Sequence, residues 1–558
     1  MERDIVERLA TWWAARFGHL TGVFALLFGI AWIAYGIHAA GMNYSIDDWW
    51  FVLDPDRIGL VVIGSGRWMH SIAITFLSGG LIAPGVTLFA MLAMQAIAIG
   101  LLLHEMGCRD RVVAFFAIAL LIFHPMGVES VQIEQNHIAV GLSHLLLIVS
   151  GILTWRAART LTSTGIDRSV FVNAAAAVPL FATGAAGFQQ FAVLGAIAFF
   201  ALWAVAALEE RDGDAGERLT DAARIIALRL CTLGVVSVLG VTFYYASAFG
   251  AKALFDVPSQ YSYYNIASGF VSSRDILALK GESLPRVILK FWAQAQHLIA
   301  WPETLALIAI ALLAAAAGIR TVLGANSAGA RLLAVAGFGG AIGTALFLPF
   351  VLPGLRGHDT YSFNALAPLA FSQVVFFIVA ALAFGRRWLG WLPTILALYV
   401  SINFVAAQNA AAVVALNDNR RDMLALNRLL AALETTDSYK AAQRNDAPLR
   451  LMIIGAKPAP DPTGPYRIDE IEPPLASSRA DCSLFSCGTS QIINGLMLIS
   501  YDSMAYELAN PSTVDEALRD EALVRLSESR PWPDPSSIMT LSNGVLMLYL
   551  GNELRRDE

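Results

Sequence analysis

The sequence predicts an all-α polytopic membrane protein with a small C-terminal extracytoplasmic α/β domain, and three observations predict it. The 558 residues are 56% hydrophobic and only 15% charged, with a mean hydropathy of +0.58, the composition of a chain that lives in lipid. The apolar residues gather into runs of about twenty, the length that crosses a bilayer. From residue 409 onward that pattern stops, and polar sequence with scattered Pro and Gly takes over. The net charge of -6 and the lack of any basic tract argue against a nucleic-acid partner.

Residues 1–16 (MERDIVERLATWWAAR) read as an amphipathic helix lying in the interface. The first span covers roughly 17–40; it is too long for a cleavable signal peptide, and no small-residue cleavage site follows it. Loop 41–83 comes next. Its piece 69–82 is apolar but short and ends in Ser-Gly-Gly-Leu-Ile-Ala-Pro84, so it is read as lying in or dipping into the interface. Ten further spans fall at roughly 84–104, 112–124, 137–154, 169–185, 190–208, 225–248, 303–319, 332–351, 365–384 and 388–408, making about eleven. Threaded alternately, they gather Arg109, Arg111, Arg156, Arg159, Arg168, Arg211, Arg218, Arg224, Arg320, Arg331, Arg386 and Arg387 on one side. Basic residues accumulate in cytoplasmic loops, so the N-terminus is expected inside and the C-terminal tail outside.

The chain therefore divides into a membrane domain, 1–408, and a tail domain, 409–558. The tail opens with an amphipathic helix near 415–436, then a strand-like run Leu449–Gly455, a helix near 512–528 and a final strand pattern from Val545 to Leu550. Cys482 and Cys487 lie close together there and can form a short-loop disulfide if the tail faces an oxidising compartment.

The outer face collects the residues that could carry chemistry. Asp47 and Asp48 follow directly on the first span, flanked by Tyr44 and Trp49. A carboxylate just outside the bilayer can serve as a general base toward an acceptor hydroxyl. Neighbours i and i+1 diverge on a helix or turn, so only one of the pair is expected to point into a site, with Asp47 nearer its anchor. The competing reading is a solvated loop with an interfacial aromatic belt. Arg67 and Arg356, with His358 beside the latter, stand on the side where basic residues are disfavoured. They could clamp a lipid phosphate through paired hydrogen bonds; the plainer reading is headgroup snorkelling. Glu129, Glu134 and Asn136 form a polar cluster between two apolar runs, either an ordinary solvated loop or a wall that binds sugar hydroxyls. No compact His/carboxylate spacing indicates a divalent metal, and no other cofactor is expected. No Gly-rich phosphate loop, Ser-His-Asp arrangement or CxxC pair appears, so a transferase built this way would draw on a lipid-linked donor reached from the membrane.

These elements resemble the GT-C superfamily of integral-membrane glycosyltransferases, and most closely the serotype-converting O-antigen glucosyltransferase (Gtr type II-like) family. The acidic pair before a Gly-Arg-Trp element is matched by Asp47-Asp48 and Gly66-Arg67-Trp68. A Pro-x-x-x-Glu element is matched by Pro125-Met-Gly-Val-Glu129, and an Asn-rich segment running into a helix with Asp by Asn403, Asn409, Asn417 and Arg421-Asp422. The sequence departs from the family where an aromatic Tyr/Phe-Asp element is usual, and Gln132-Ile-Glu134-Gln-Asn-His137 stands instead. The resemblance implies a multi-span GT-C core in the bacterial inner membrane, with a periplasmic C-terminal domain. It implies inverting transfer of a hexose such as glucose from a polyprenyl-phosphate donor to a glycan acceptor, an O-antigen or lipopolysaccharide-like hydroxyl. Asp47 or Asp48 would be the base, Arg67, Arg356 and His358 would hold the donor phosphate, and Glu129, Glu134, Asn136, Tyr44 and Trp49 would contact sugar or acceptor. The alternative is a lipid-linked sugar flippase or transporter. That class predicts ionisable groups at mid-membrane depth and internal repeats, whereas here the ionisable residues are read at span ends and in loops.

Overall fold

The computed structural model describes residues 8, 11, 13–40, 55–77, 84–125, 131, 136–210, 218–258, 301–356, 363–385, 390–455, 496, 506–509 and 515–551. It is mostly helical, with one small sheet near the C-terminus. Two compact units emerge, one of residues 1–42 and 56–411, the other of 43–55 and 412–558.

In the first unit, α1 (Thr21–Ala40) is followed by α2 (Pro55–Gly64) and α3 (Trp68–Ile72), the latter continued by a π-helical turn at Ala73–Leu77. The stretch 41–83 thus contains two short helices among its described residues. Then come α4 (Pro84–Glu105), α5 (Arg111–Ile122), α6 (His137–Ser163), α7 (Arg168–Gly187), a 3-10 turn at Gln189–Val193, and α8 (Leu194–Glu210). The longer α9 (Leu219–Leu254), α10 (Trp301–Gly324), α11 (Ala328–Arg356) and α12 (Phe363–Phe384) follow, and α13 (Trp391–Glu434) closes the unit.

Among the described residues, nine helices are long and apolar enough to cross a membrane, and Arg111–Ile122 and Pro368–Phe384 are shorter apolar helices. Boundaries are written in cap chemistry. Asp110 precedes α5 and accepts from the Val112 and Val113 amides at 2.8 and 3.4 Å. Asp167 does the same for α7 through Ser169 and Val170 at 2.7 and 3.1 Å. Such side chains satisfy amides that the first helical turn leaves without acceptors.

Two contacts orient the unit. At the start of α4 and α6, Thr87 Oγ1 meets His137 Nδ1 at 2.9 Å; at their far ends Arg156 Nε donates to both carboxylate oxygens of Glu105 at 3.0 Å. The two helices therefore run parallel, with about 27 Å of helix between the contacts at 1.5 Å per residue. Gly337 of α11 lies against Trp203 of α8, and Gly340 against Phe200, an antiparallel register. Extended, it brings the Arg356 end of α11 to the end where α8 begins.

One boundary differs from the sequence reading. The span at 388–408 and the tail helix at 415–436 are one continuous helix, α13. After Pro393 its sequence holds neither Gly nor Pro, so nothing in the backbone interrupts it.

The second unit uses the end of α13, α14 (Asp437–Arg444), β1 (Leu449–Gly455), β2 (Tyr506–Leu508), α15 (Glu516–Ser527), β3 (Ile538–Thr540) and β4 (Leu546–Gly551). The sheet order is β2-β1-β4-β3; β1 is parallel to both neighbours, and β3 is antiparallel to β4. Strand alternation sends Leu449, Leu451 and Ile453 to one face with Leu426, Leu429 and Leu433. Met452 and Met547 go to the other face with Leu518, Ala522 and Leu526 of α15.

Candidate functional site

The site is built around the turn Gly64-Ser-Gly-Arg-Trp68. Helix α2 ends because Gly66 adopts φ +82, and the chain closes on itself there. The Gly66 amide donates to Ile63 O at 2.9 Å and the Arg67 amide to Val62 O at 3.0 Å. This is the Schellman arrangement, in which a left-handed glycine satisfies the last carbonyls of a helix. Gly66 is required for a second reason, since a Cβ there would stand 2.5 Å from Tyr244 Oη and 3.2 Å from Gln189 Nε2.

Two other elements hold this turn. Gln189 Nε2 donates to Ser65 O at 2.7 Å and to Tyr244 Oη at 2.6 Å, while Trp68 Nε1 donates to Ser247 Oγ at 3.1 Å. Phe188 lies beneath the Arg67 guanidinium, whose carbon is 5.0 Å from the ring centroid. The same ring packs against buried His70, centroids 5.4 Å apart. Arg67 is half-buried and its guanidinium is thereby held in place, as a cation over an aromatic face is attracted by the ring quadrupole.

A second wall stands at the same end. Asn136 is buried ahead of α6. His137 bridges Thr87 and, through Nε2, Val131 O at 2.8 Å. His124, just beyond α5, meets Gln373 Oε1 at 2.8 Å through Nε2; its carbonyl accepts from Gln408 Nε2 at 2.9 Å, and its ring packs 4.8 Å from Phe404. Both ends of the segment that carries Glu129 and Glu134 are therefore pegged. His144, two turns into α6, packs with its ring centroid 4.6 Å from that of Phe191 in the Gln189–Val193 turn, which ties this wall to the Arg67 turn.

Of the residues singled out from sequence, the structure brings Arg67 and Asn136 to one end of the first unit. Arg356 lies on the backbone of α11 at that end, by the register given above. Asp47, Asp48, Tyr44, Trp49, Glu129, Glu134, His358, Cys482 and Cys487 lie outside the described residues. Among the described residues no group of three or more His, Cys, Asp or Glu side chains could hold a metal.

Sequence reasoning did not assign the side chains of Gln189 and Gln190. The signal was there: a pair of amides between two apolar runs needs partners. It missed Tyr244 and Ser247 altogether, because small polar groups inside an apolar run resemble span filler. One basic residue of α9 was not assigned from sequence, and it lies beside Trp155, toward the end of the unit where Arg156 meets Glu105. Arg229 is 3% exposed inside the apolar helix α9. Its guanidinium carbon lies 4.9 Å from the Trp155 ring and 5.2 Å from the Trp203 ring. Two indole faces compensate there for part of the hydration that the charge has lost.

No protein-family model, curated protein or solved structure matches the chain. The functional reading accordingly rests on the residues and their arrangement.

Proposed function

We propose that the chain is an inverting glycosyltransferase of the GT-C kind. It moves a hexose such as glucose from a polyprenyl-phosphate donor to a cell-surface glycan hydroxyl on the outer face of a bacterial inner membrane. In this reading the membrane domain has eleven spans, the N-terminus is cytoplasmic and the tail periplasmic. The observation that carries it is the held turn at Gly66-Arg67-Trp68. A guanidinium fixed over Phe188, at the same end as Asn136 and the last turn of α11, is what a departing phosphate needs.

In the proposed reaction Asp47 or Asp48 takes the acceptor proton while the hydroxyl oxygen attacks the anomeric carbon from the face opposite the phosphate. The bond to the phosphate oxygen breaks with its electron pair, and Arg67 and Arg356 stabilise the charge that develops. Such stabilisation acts mainly in the transition state, so its loss should lower turnover more than binding.

The test is sugar transfer from radiolabelled polyprenyl-phosphate glucose in membranes, comparing wild type with Asp47→Asn, Asp48→Asn and Arg67→Ala at matched expression. Loss of transfer in one Asn variant and about a hundredfold loss in Arg67→Ala is the expected result. Full activity in both Asn variants would remove the acidic pair from the mechanism. A lipid-linked sugar flippase, the alternative raised from sequence, is the second reading. It predicts donor translocation across sealed vesicles without transfer.

A further inference from the structure

The first unit leaves a patterned set of polar atoms unused. Among the described residues, three side-chain amide or carboxylate oxygens are buried without a hydrogen-bond partner: Gln190 Oε1, Glu303 Oε2 and Asn409 Oδ1. Gln190 is 8% exposed and Glu303 7%. The other carboxylate oxygen of Glu303 accepts from Tyr399 Oη at 3.3 Å, leaving Oε2 over.

All three fall at the Arg67 end. Gln190 directly follows Gln189, which holds the Arg67 turn. Glu303 is in the first turn of α10, and the three-residue connection 325–327 together with the contact of Gly318 and Phe338 makes α10 antiparallel to α11. That register sets Glu303 opposite the Arg356 end. Asn409 directly follows Gln408, which bonds the His124 carbonyl at the end of α5. At the opposite end both oxygens of Glu105 are taken up by Arg156.

A buried acceptor with no protein donor costs stability, and a bound O–H donor would recover that cost. Acceptors of this kind in one half of the unit suggest what that ligand is. They repel an anion and favour a group rich in O–H donors. Arg67, at the same end, suits the opposite chemistry, a phosphate.

We propose that Gln190, Glu303 and Asn409 accept hydroxyl hydrogens from a polyhydroxylated ligand, the sugar of the donor, and so determine which sugar is accepted. This rests on the transferase reading. The division of labour follows, with arginine for the phosphate and uncharged or anionic oxygens for the sugar.

The test uses the full chain in nanodiscs and two probes, polyprenyl phosphate and polyprenyl-phosphate glucose. Kd for each is measured with wild type, Gln190→Leu, Glu303→Leu and Asn409→Leu, alongside Tm. The sugar-dependent gain in affinity should fall about threefold to tenfold in each variant. Binding of the bare lipid should change less than about twofold, and in Gln190→Leu and Asn409→Leu Tm should hold or rise, because an apolar side chain of similar size removes an unsatisfied group; Glu303→Leu also takes the acceptor from Tyr399 Oη, so a modest fall in Tm is expected there. A merely structural role predicts the reverse, with Tm and both affinities falling together, and that result overturns the proposal. So does an unchanged sugar increment in all three variants. A wild type that binds neither lipid, or binds both equally, sinks the transferase reading and this inference with it.

Discussion

The two units are stabilised by different physics. In the tail unit, leucines and methionines sandwich a four-stranded sheet from both faces, and Leu449, Leu451, Leu546 and Met547 are at most 1% exposed. Water drives that burial, roughly in proportion to the apolar area removed. In the helical unit large apolar side chains such as Ile33, Val238 and Leu312 stay open on the outside. Lipid is as apolar as leucine, so burying such residues against another helix gains little. That unit relies instead on close backbone approach and on buried polar pegs. At Gly151 an added Cβ would collide with the Gly195 carbonyl oxygen of the facing helix. The lesson is where each unit is vulnerable: the tail through lost volume, the helical unit through single atoms.

The largest expected effect breaks the tail side of this comparison. Leu451 is fully buried in the central strand β1, so Leu451→Ala should cost about 2–5 kcal/mol. Hydrogen exchange on the full-length protein should show lost protection along 449–455 and 546–551 with the amides of α6 unchanged. Undiminished protection in those two strands would mean that the sheet does not depend on this apolar face.

A smaller stability effect, with a larger functional one, comes from Gly66→Ala. The left-handed backbone and the approach of Tyr244 Oη both oppose a methyl group, together worth about 1–3 kcal/mol. Transfer should drop at least about tenfold, because the Arg67 guanidinium moves with the turn. Adding Tyr244→Phe removes the clashing oxygen but not the backbone strain, so the double variant should recover only part of the lost Tm. Full recovery would show that the steric contact, not the φ angle, carries the cost. No change in the single variant would mean that the turn is not held as described.

How far the sequence foretells these features follows the same division. Strand β1 was legible to the residue, since a run of alternating apolar side chains has few other uses, and α15 and β4 lie within a few residues of expectation. The three-residue strands β2 and β3 were not legible, because they exist only through pairing with β1 and β4. Apolar helices were plain from hydropathy. The pegs were not: Gln189, Tyr244 and Ser247 are 179 residues or fewer from the turn they hold, but far beyond any local pattern. Gly66 was read as part of a Gly-Arg-Trp motif, and its capping role was available from position alone, a glycine just past an apolar helix.

The smallest effect sharpens the comparison through pH. In the tail, Glu521 is held below the usual carboxylate range first by the Ser542 hydroxyl and then by the Ser542 amide. Asp534 is lowered likewise by the hydroxyl and amide of Ser536. A carboxylate whose folded pKa lies below its unfolded value contributes stability above the unfolded value and loses it as pH falls through the folded one. Those unfolded values are near 4.5 for Glu521 and 3.8 for Asp534. Both groups are solvent-accessible, so the loss should be gradual and modest. Tail stability, read as the denaturant midpoint of fluorescence from Trp532, which is 9% exposed, should decline only below that range. A full-length variant with the other tryptophans replaced by phenylalanine isolates the signal. Glu521→Gln with Asp534→Asn should flatten the decline. The bonds from Gln189 to Ser65 and Tyr244 involve no group that titrates there, so exchange at residues 65–68, corrected for its intrinsic pH dependence, should stay level. A parallel decline at both places would mean that the two units do not lose stability by separate causes.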